Sequence, residues 1–456
     1  MADAVQGQGE PRLQRRIGLG LLVMYGLGSM LGAGIYGLVG EAARLMGSAI
    51  WLAFLVSMVA ALLTGLSYAT IASRYPRAGG ACYVTHRAYR SPLLGYLVGL
   101  AVACSGLTSI ATQANVVARN LQAAFGLDGV PVLLLATGFL LIVAGIILRG
   151  IKESLWLNAL CTVVEAFGLI LVVAVGIPYW GSASLLEWPD AAQGTEAAGT
   201  ALLVFQGAVL TFFSFIGFED TMNLAEEVKS PERTMPAGLI LAMVAATIIY
   251  LAICVTAVSV VPWRELAAAP APLAEVVRRA APWFPTVGFI GITIFAVANT
   301  ALVNYVMASR LLYGMARQGL LPAALGRVHP TRHTPHVAIG ALLVVTLALA
   351  AIGNIASLAA ATVLLLLFVF TIVNGALIVL QRRQGEKRGT FEVPSIIPAL
   401  GMVVCLTLIV VRVATGNIQA PLIAGGLILA ILALYLATSR NRGKEMEELM
   451  RSDVLS

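Results

Sequence analysis

The stretch Tyr25-Gly-Leu-Gly-Ser-Met-Leu-Gly-Ala-Gly-Ile-Tyr-Gly37 lies inside an apolar run long enough to cross a bilayer, yet five of its thirteen residues are glycine. Glycine in a helix interior costs about 1 kcal/mol relative to alanine. Such a stretch therefore either packs closely on another helix through its small residues or marks a place where the helix breaks. A second stretch, Thr211-Phe-Phe-Ser-Phe-Ile-Gly-Phe-Glu-Asp220, favours the break. There Gly217 is followed by Glu219 and Asp220 at or near membrane depth, where charge is costly and faces a cavity rather than lipid. The two stretches fall in the first and sixth apolar runs, five apart. Interrupted helices at matching positions of two five-helix halves are the pattern of an inverted-repeat membrane carrier. The halves share this pattern and not residue identities.

Working outward, the 456 residues are 59% hydrophobic and only 11% charged, against about 25% charged in a typical soluble domain. A water-soluble fold has no place for so much apolar surface. With about 20 apolar residues needed per crossing, the sequence predicts an all-α integral membrane protein of about twelve spans, near 17–40, 48–71, 93–118, 130–149, 155–178, 201–222, 236–261, 285–313, 336–353, 356–380, 396–414 and 418–438. Spans nine and ten are joined only by a tight connection at Gly353-Asn354. The formal charge of +7 forms no concentrated patch that would suit nucleic acid. Of the 29 Lys and Arg residues, 23 fall in tails and loops on the N-terminal side and 6 on the other. Lys and Arg concentrate on the cytoplasmic side, so both termini are expected in the cytoplasm of a cell-membrane protein. The tails, 1–16 and 439–456, are short and polar, and the first carries no signal-peptide pattern.

The chemistry of a broken helix is specific. Its interruption frees amide N–H groups whose dipoles favour an anion and carbonyls that accept from an ammonium group. Two broken helices side by side suit a zwitterion, and Gly32, Ala33 and Gly34 are small enough to let it reach the backbone. No nucleophile–base pair, metal-ligand spacing or cofactor motif appears, so no catalytic residues, metal or cofactor are expected. Cys82, Cys104, Cys161, Cys254 and Cys405 read as small apolar residues, and the four histidines lie at loop edges. A channel would need rings of carbonyls or charges along a pore, and no filter-like repeat is present. A sensor built on a carrier fold remains the third class.

Five stretches carry a family resemblance. They are Gly32-Ala-Gly-Ile-Tyr36, Tyr75-Pro-Arg-Ala-Gly-Gly80, Phe213-Ser-Phe-Ile-Gly-Phe-Glu219, Ala225-Glu-Glu-Val-Lys-Ser-Pro-Glu-Arg-Thr-Met-Pro236 and Ser309-Arg-Leu-Leu-Tyr-Gly-Met-Ala-Arg-Gln-Gly-Leu-Leu-Pro322. In this order they resemble permeases of the amino acid–polyamine–organocation (APC) superfamily. The resemblance implies a ten-helix inverted-repeat core over 17–380 (halves 17–178 and 201–380), with broken spans one and six and two further helices at 396–438. It implies a secondary active transporter of amino acids or related amines working by alternating access. By motif, the amides of Gly32, Ala33 and Gly34, with Ile35 beside them, would hold a substrate carboxylate. The carbonyls of Leu31, Phe213 and Ile216, flanking Ser214, would receive its amine. The Phe213 ring is either a lid over the site or an ordinary buried aromatic.

Span five holds one ionisable residue, in Asn158-Ala-Leu-Cys-Thr-Val-Val-Glu165. Lys152-Glu-Ser154 and Asn158 resemble the cationic amino-acid branch, which carries a lysine where this chain has Glu165. A glutamate cannot stand in for a bound cation, but it can bind sodium, carry a proton, or serve as a structural acceptor for Asn or Thr on span eight or one. Proton symport is the favoured expectation, with sodium coupling or exchange as alternatives. Glu219 competes for the coupling role, and Asn299, Thr300 and Asn304 offer polar lining, Thr300 as a coupling-ion ligand. Glu226 and Glu227 are expected to pair with Arg233 or Arg74. The cationic branch carries an acid early in span three, where this chain aligns Ala101; the span has no Asp or Glu but offers Ser105, Thr108, Ser109, Thr112 and Gln113. The resemblance therefore implies a neutral or weakly charged rather than a basic substrate, unless Glu165 or Glu219 takes the acid's part.

Overall fold

In the computed structural model the described residues are 15, 17–76, 80–127, 129–149, 155–189, 197–225, 227–317, 321–330, 332, 334–415 and 418–442. The expected tails, apart from 15 and 439–442, the Lys152 motif, Arg77 and Glu226 lie outside them. Nine helical runs among the described residues are long and apolar enough to cross a membrane. The first, Leu19–Arg74, holds two spans, and the 17-residue apolar helices Val132–Leu148 and His336–Ile352 bring the total to twelve.

In order, span one is Leu19–Met30 plus Ala33–Met46, span two Ile50–Arg74, span three Pro92–Phe125, span four Val132–Leu148, span five Leu155–Gly176 and span six Ala197–Thr211 with its irregular continuation. Span seven is Pro231–Val260, span eight Thr286–Arg317, span nine His336–Ile352, span ten Ile355–Arg382, span eleven Ile396–Thr415 and span twelve Gln419–Arg442. Three shorter helices, Gly80–Tyr89, Trp263–Ala268 and Pro272–Ala280, occupy stretches read from sequence as loops. They are amphipathic or too short for a hydropathy signal, which is why span-length reading passes over them.

The packing obeys the exchange of halves. Span two runs along span seven, span three along span eight, and span four against span nine. Span one lies on span seven as span six lies on span two, and span three lies on span ten as span eight lies on span five. Spans eleven and twelve stand outside this core, against spans two, three, six and ten. Leu134, Ile142, Ile170, Ile248, Leu422 and Leu429 are exposed on the outer faces, as a lipid-facing surface requires. Between spans nine and ten, Asn354 Oδ1 accepts from the Ser357 amide at 2.8 Å while Ser357 Oγ accepts from the Asn354 amide at 3.0 Å. This reciprocal cap is what lets the chain turn so tightly.

One expected pairing is different. Among the described residues, Arg74 forms no ion pair with the loop after span six. Its guanidinium grips both oxygens of Glu392, at 2.6 and 2.8 Å. Bidentate geometry of this kind is the strongest an arginine makes with a carboxylate. The loop between spans ten and eleven thus holds the end of span two. It also brings Glu386 to Tyr75 (2.8 Å) and Arg87 (3.0 Å), and Lys387 to Glu232 (2.9 Å). Glu227 uses its backbone instead: its carbonyl accepts from the Ile17 amide, and the Lys229 amide donates to the Ile17 carbonyl. The stretch after span six is thereby docked on the start of span one.

Candidate functional site

Span one breaks at Leu31-Gly32. Leu31 is extended (φ −74°, ψ 101°), and the helix restarts at Ala33. The first hydrogen bond of the restarted helix runs from the Tyr36 amide to the Gly32 carbonyl, so the amides of Ala33, Gly34 and Ile35 have no partner within it. Span six breaks five residues past its regular part. Phe212–Phe215 tighten into a 3₁₀ turn, Ile216 is extended (φ −65°, ψ 139°), and Gly217 has φ +119°. That left-handed region is nearly closed to residues with a Cβ, and a Cβ on Gly217 would also lie 2.5 Å from the Ser29 carbonyl oxygen. Glycine is required here by both the backbone and its neighbour.

The two breaks touch. A Cβ on Gly34 would sit 2.4 Å from Ser214 Cα, and one on Gly32 would sit 2.7 Å from Thr300 Oγ1. Close packing and helix breaking, weighed as alternatives from sequence, are here the same feature: the small residues let one broken helix lie on the other. The Tyr250 hydroxyl of span seven stands 2.8 Å from the carbonyl oxygens of both Met30 and Ser214. It supplies a donor beside two carbonyls released by the breaks. Tyr250 went unremarked in the sequence because nothing local distinguishes it from any other membrane tyrosine.

Glu165 of span five is fully buried. Its Oε1 accepts from Asn299 Nδ2 at 3.1 Å, and its Oε2 has no hydrogen-bond partner among the described residues. Its backbone carbonyl accepts from the Tyr36 hydroxyl at 2.7 Å, which ties span five to the restarted half of span one. Thr300 follows Asn299 on span eight and faces Gly32. Spans one, five, six and eight therefore converge on one buried polar centre, which brings Gly32, Gly34, Ser214, Thr300 and Glu165 together. Leu31, Ala33, Ile35 and Phe213 are buried there as well, and the Phe213 carbonyl accepts from the Ile216 amide at 3.3 Å.

A cavity of about 160 Å³ at one end of the bundle meets the break of span six at Ile216. Tyr68, Cys82, Ser105, Ser109, Ile216, Glu219, Asp220 and Asn304 line it, and Asn304 donates to Ser109 at 3.3 Å. The Gly217 amide donates to Glu219 Oε2 at 3.0 Å. Of the expected substrate residues only Ile216 is in its wall, and the glycines of span one are covered by Ser214 and Thr300. The opposite end holds a smaller cavity of about 30 Å³, lined by Glu41, Arg44 and Arg119 among others, and ion pairs cross it. Glu41 pairs with Arg44 (3.0 Å) and with Arg119 of span three (3.4 Å), while Arg44 donates to the Ala267 carbonyl at 2.8 Å. Beside this closure, Trp51, Trp180 and Trp263 donate to Leu185, Thr256 and Glu187. These bonds fasten the segment that follows span five.

Broken helices crossing at mid-bundle, with a cavity at one end and an ion-paired seal at the other, define a multi-pass membrane transporter. The profile of the family described as amino acid permease matches residues 19–438, nearly the whole chain. The chain belongs to this amino acid permease family of the APC superfamily. It is 29% identical to the branched-chain amino acid permease BcaP of Bacillus subtilis, over 88% of this chain and 89% of that one. It is 28% identical to the methylthioribose transporter of the same organism, over 84% and 86% respectively. With the chloroplastic cationic amino acid transporter 9 of Arabidopsis thaliana the identity is 30%, over 72% of this chain and 60% of the relative.

Proposed function

We propose that this protein is a secondary active carrier of neutral amino acids, or of closely related amines, that works by alternating access and is driven by a proton carried on Glu165. It would sit in the cell membrane with both termini cytoplasmic, so that the cavity opens inward. The observation that carries the reading is the asymmetry between the two ends: a larger cavity meeting the break of span six on the Lys/Arg-rich side, and the Glu41–Arg44–Arg119 seal on the other. An inward-facing carrier has this arrangement, and its outward-facing state would require the seal to part and the cavity to close.

In this reading the amides of Gly32, Ala33 and Gly34 hold the substrate carboxylate, and the carbonyls of Leu31, Phe213 and Ile216 hold its ammonium group. Ser214 and Thr300, now packed on the glycines, withdraw as substrate enters. Span three presents hydroxyls at Ser105 and Ser109 in the cavity wall and no acid of its own; the acids of that wall, Glu219 and Asp220, belong to the stretch after the break in span six. That supports a neutral substrate, as does the similarity to a relative named for branched-chain amino acids. Among the described residues Glu165 Oε2 is a buried acceptor with no donor, so a proton there satisfies an otherwise orphaned oxygen. Through the Tyr36 hydroxyl and through Asn299, occupancy of that oxygen is felt by both spans one and eight.

The test is uptake by proteoliposomes of the purified protein. The expected result is saturable, stereoselective accumulation of a neutral amino acid when only an inward proton gradient is imposed. Uptake that requires sodium at constant pH would transfer the coupling role to sodium. Ligand binding without flux would mean a sensor, and a best substrate of lysine, arginine or a polyamine would overturn the neutral assignment.

A further inference from the structure

Arg149, Arg327 and Arg332 are exposed at the Lys/Arg-rich end of the molecule. On the same side Arg74, Arg87, Arg383 and Lys387 are each held by a glutamate. Arg149, Arg327 and Arg332 form no ion pair with a described residue, and neither 132–149 nor 321–352 contains an Asp or Glu. The fold gathers the three. Before span nine the chain closes on itself: the Thr334 carbonyl accepts from the amides of His329 (2.8 Å) and His336 (2.9 Å), and the Arg332 amide donates to His329 Nδ1 at 3.4 Å. The rings of His329 and His336 meet edge-on, with centroids 5.6 Å apart. The Thr334 hydroxyl then donates to the Leu148 carbonyl at 3.3 Å. That bond lays the loop on the last residue of span four, next to Arg149.

The cations stand over an apolar face. On span four Leu134, Gly138, Leu141, Gly145 and Arg149 recur every three or four positions, so they share one face of the helix. Leu134 and Leu141 are exposed, and a Cβ at Gly145, one turn inside Arg149, would meet nothing within 4 Å. Span nine packs on span four. One turn inside it, Gly340 is exposed and has the same open space.

We propose that this rim is a binding site for an anionic phospholipid, with its phosphate held by Arg149, Arg327 and Arg332 and an acyl chain lying along span four past Gly145. The bias of Lys and Arg toward one side accounts for cations at this end. It does not account for three of them meeting, with no acid, at the rim of two lipid-facing spans. Guanidinium groups match phosphate geometry bidentately, and basic pockets at the cytoplasmic ends of spans take anionic headgroups. A zwitterionic lipid carries the same phosphate but brings its own cation, which unpaired arginines repel. Free phosphate shares the headgroup chemistry and lacks the chain. The proposal rests on the carrier reading only for the leaflet, the cytoplasmic one; the binding itself needs no transport.

The test is thermal unfolding of the full chain, delipidated in an uncharged detergent, since a ligand of the folded state raises the midpoint. Dioctanoyl phosphatidylglycerol is expected to raise it saturably. Dioctanoyl phosphatidylcholine and sodium phosphate are expected not to do so at the same concentrations. Arg149→Gln, Arg327→Gln and Arg332→Gln should each raise the half-saturating concentration about fivefold, and the triple variant about a hundredfold. Arg15→Gln/Arg382→Gln/Arg388→Gln removes three other exposed cations and should leave it unmoved. Equal stabilisation by phosphatidylcholine, an unmoved half-saturation in the triple variant, or an equal loss in the control variant overturns the proposal. Saturation by sodium phosphate alone overturns lipid as the ligand. If the triple variant does not fold, the three single variants decide by the same criterion. Saturable uptake by a protein that shows no preference for the anionic lipid sinks this site and leaves the carrier reading standing. Selective lipid binding by a protein that transports nothing does the reverse.

Discussion

The Tyr250 hydroxyl lies 2.8 Å from the carbonyl oxygen of Met30, the last helical residue before span one breaks, and equally close to that of Ser214 in span six. One side chain of span seven thus serves both interruptions. Tyr250→Phe removes the donor and leaves the ring packing on Phe54 and Phe215 intact. The expected cost is about 1–3 kcal/mol for buried carbonyls left unsatisfied, read as a lower midpoint in thermal unfolding of the detergent-solubilised protein. Uptake should fall with it. Unchanged stability would mean that the carbonyls find another donor.

Gly34→Ala tests the contact between the broken spans. The added methyl would meet Ser214 Cα at 2.4 Å, and backbone cannot swing aside as a flexible side chain can. The variant should lose both stability and uptake. Gly138→Ala in span four, where a Cβ meets nothing within 4 Å, is the matched control and should behave as the unmodified protein. Equal behaviour of the two variants would show that the breaks have room to separate.

Glu165→Gln keeps the size of the side chain and its bond with Asn299 but holds the site permanently neutral. In proteoliposomes it should lose accumulation driven by a pH gradient while retaining exchange of internal for external substrate, which needs no net proton movement. Should the variant still concentrate substrate on a pH gradient alone, the proton moves elsewhere, with Glu219 the next carboxylate to examine.

The loop between spans ten and eleven should make stability depend on acid. Burial by itself would raise the Glu386 and Glu392 carboxyls. Hydrogen bonds from Tyr75 and Arg87 to the first, and from Arg74 and the Gly389 amide to the second, outweigh it and hold both below the usual carboxylate range. A folded-state value below the unfolded one gives stability that is present at neutral pH and lost as pH falls through the folded value. Glu386→Gln should therefore unfold at a lower temperature than the unmodified protein at pH 7. The gap should narrow as pH falls below the ordinary glutamate value of about 4.3 and close once pH has passed the lower folded-state value. A gap that is constant with pH would assign the effect to packing.

The sequence alone determined the twelve crossings, the positions of the two breaks and the residue types at them. Both follow from local rules. A bilayer of fixed thickness demands runs of about 20 apolar residues, and a helix interior marked by Gly32, Gly34 and Gly217 announces its own interruption. Tertiary structure decided the partners. Arg74 takes Glu392 from 318 positions away, Asn299 takes Glu165 from 134, and Tyr250 reaches Met30 from 220. Inside a low-dielectric bundle a buried polar group is costly without a mate, and the mate is whichever group the packing of distant spans brings within hydrogen-bond distance. No periodicity or local motif encodes that choice. The same holds for the open end: the glycines of span one are legible as a small-residue break, but only the packed spans show that Ser214 and Thr300 lie against them and that Glu219 and Asp220 line the cavity.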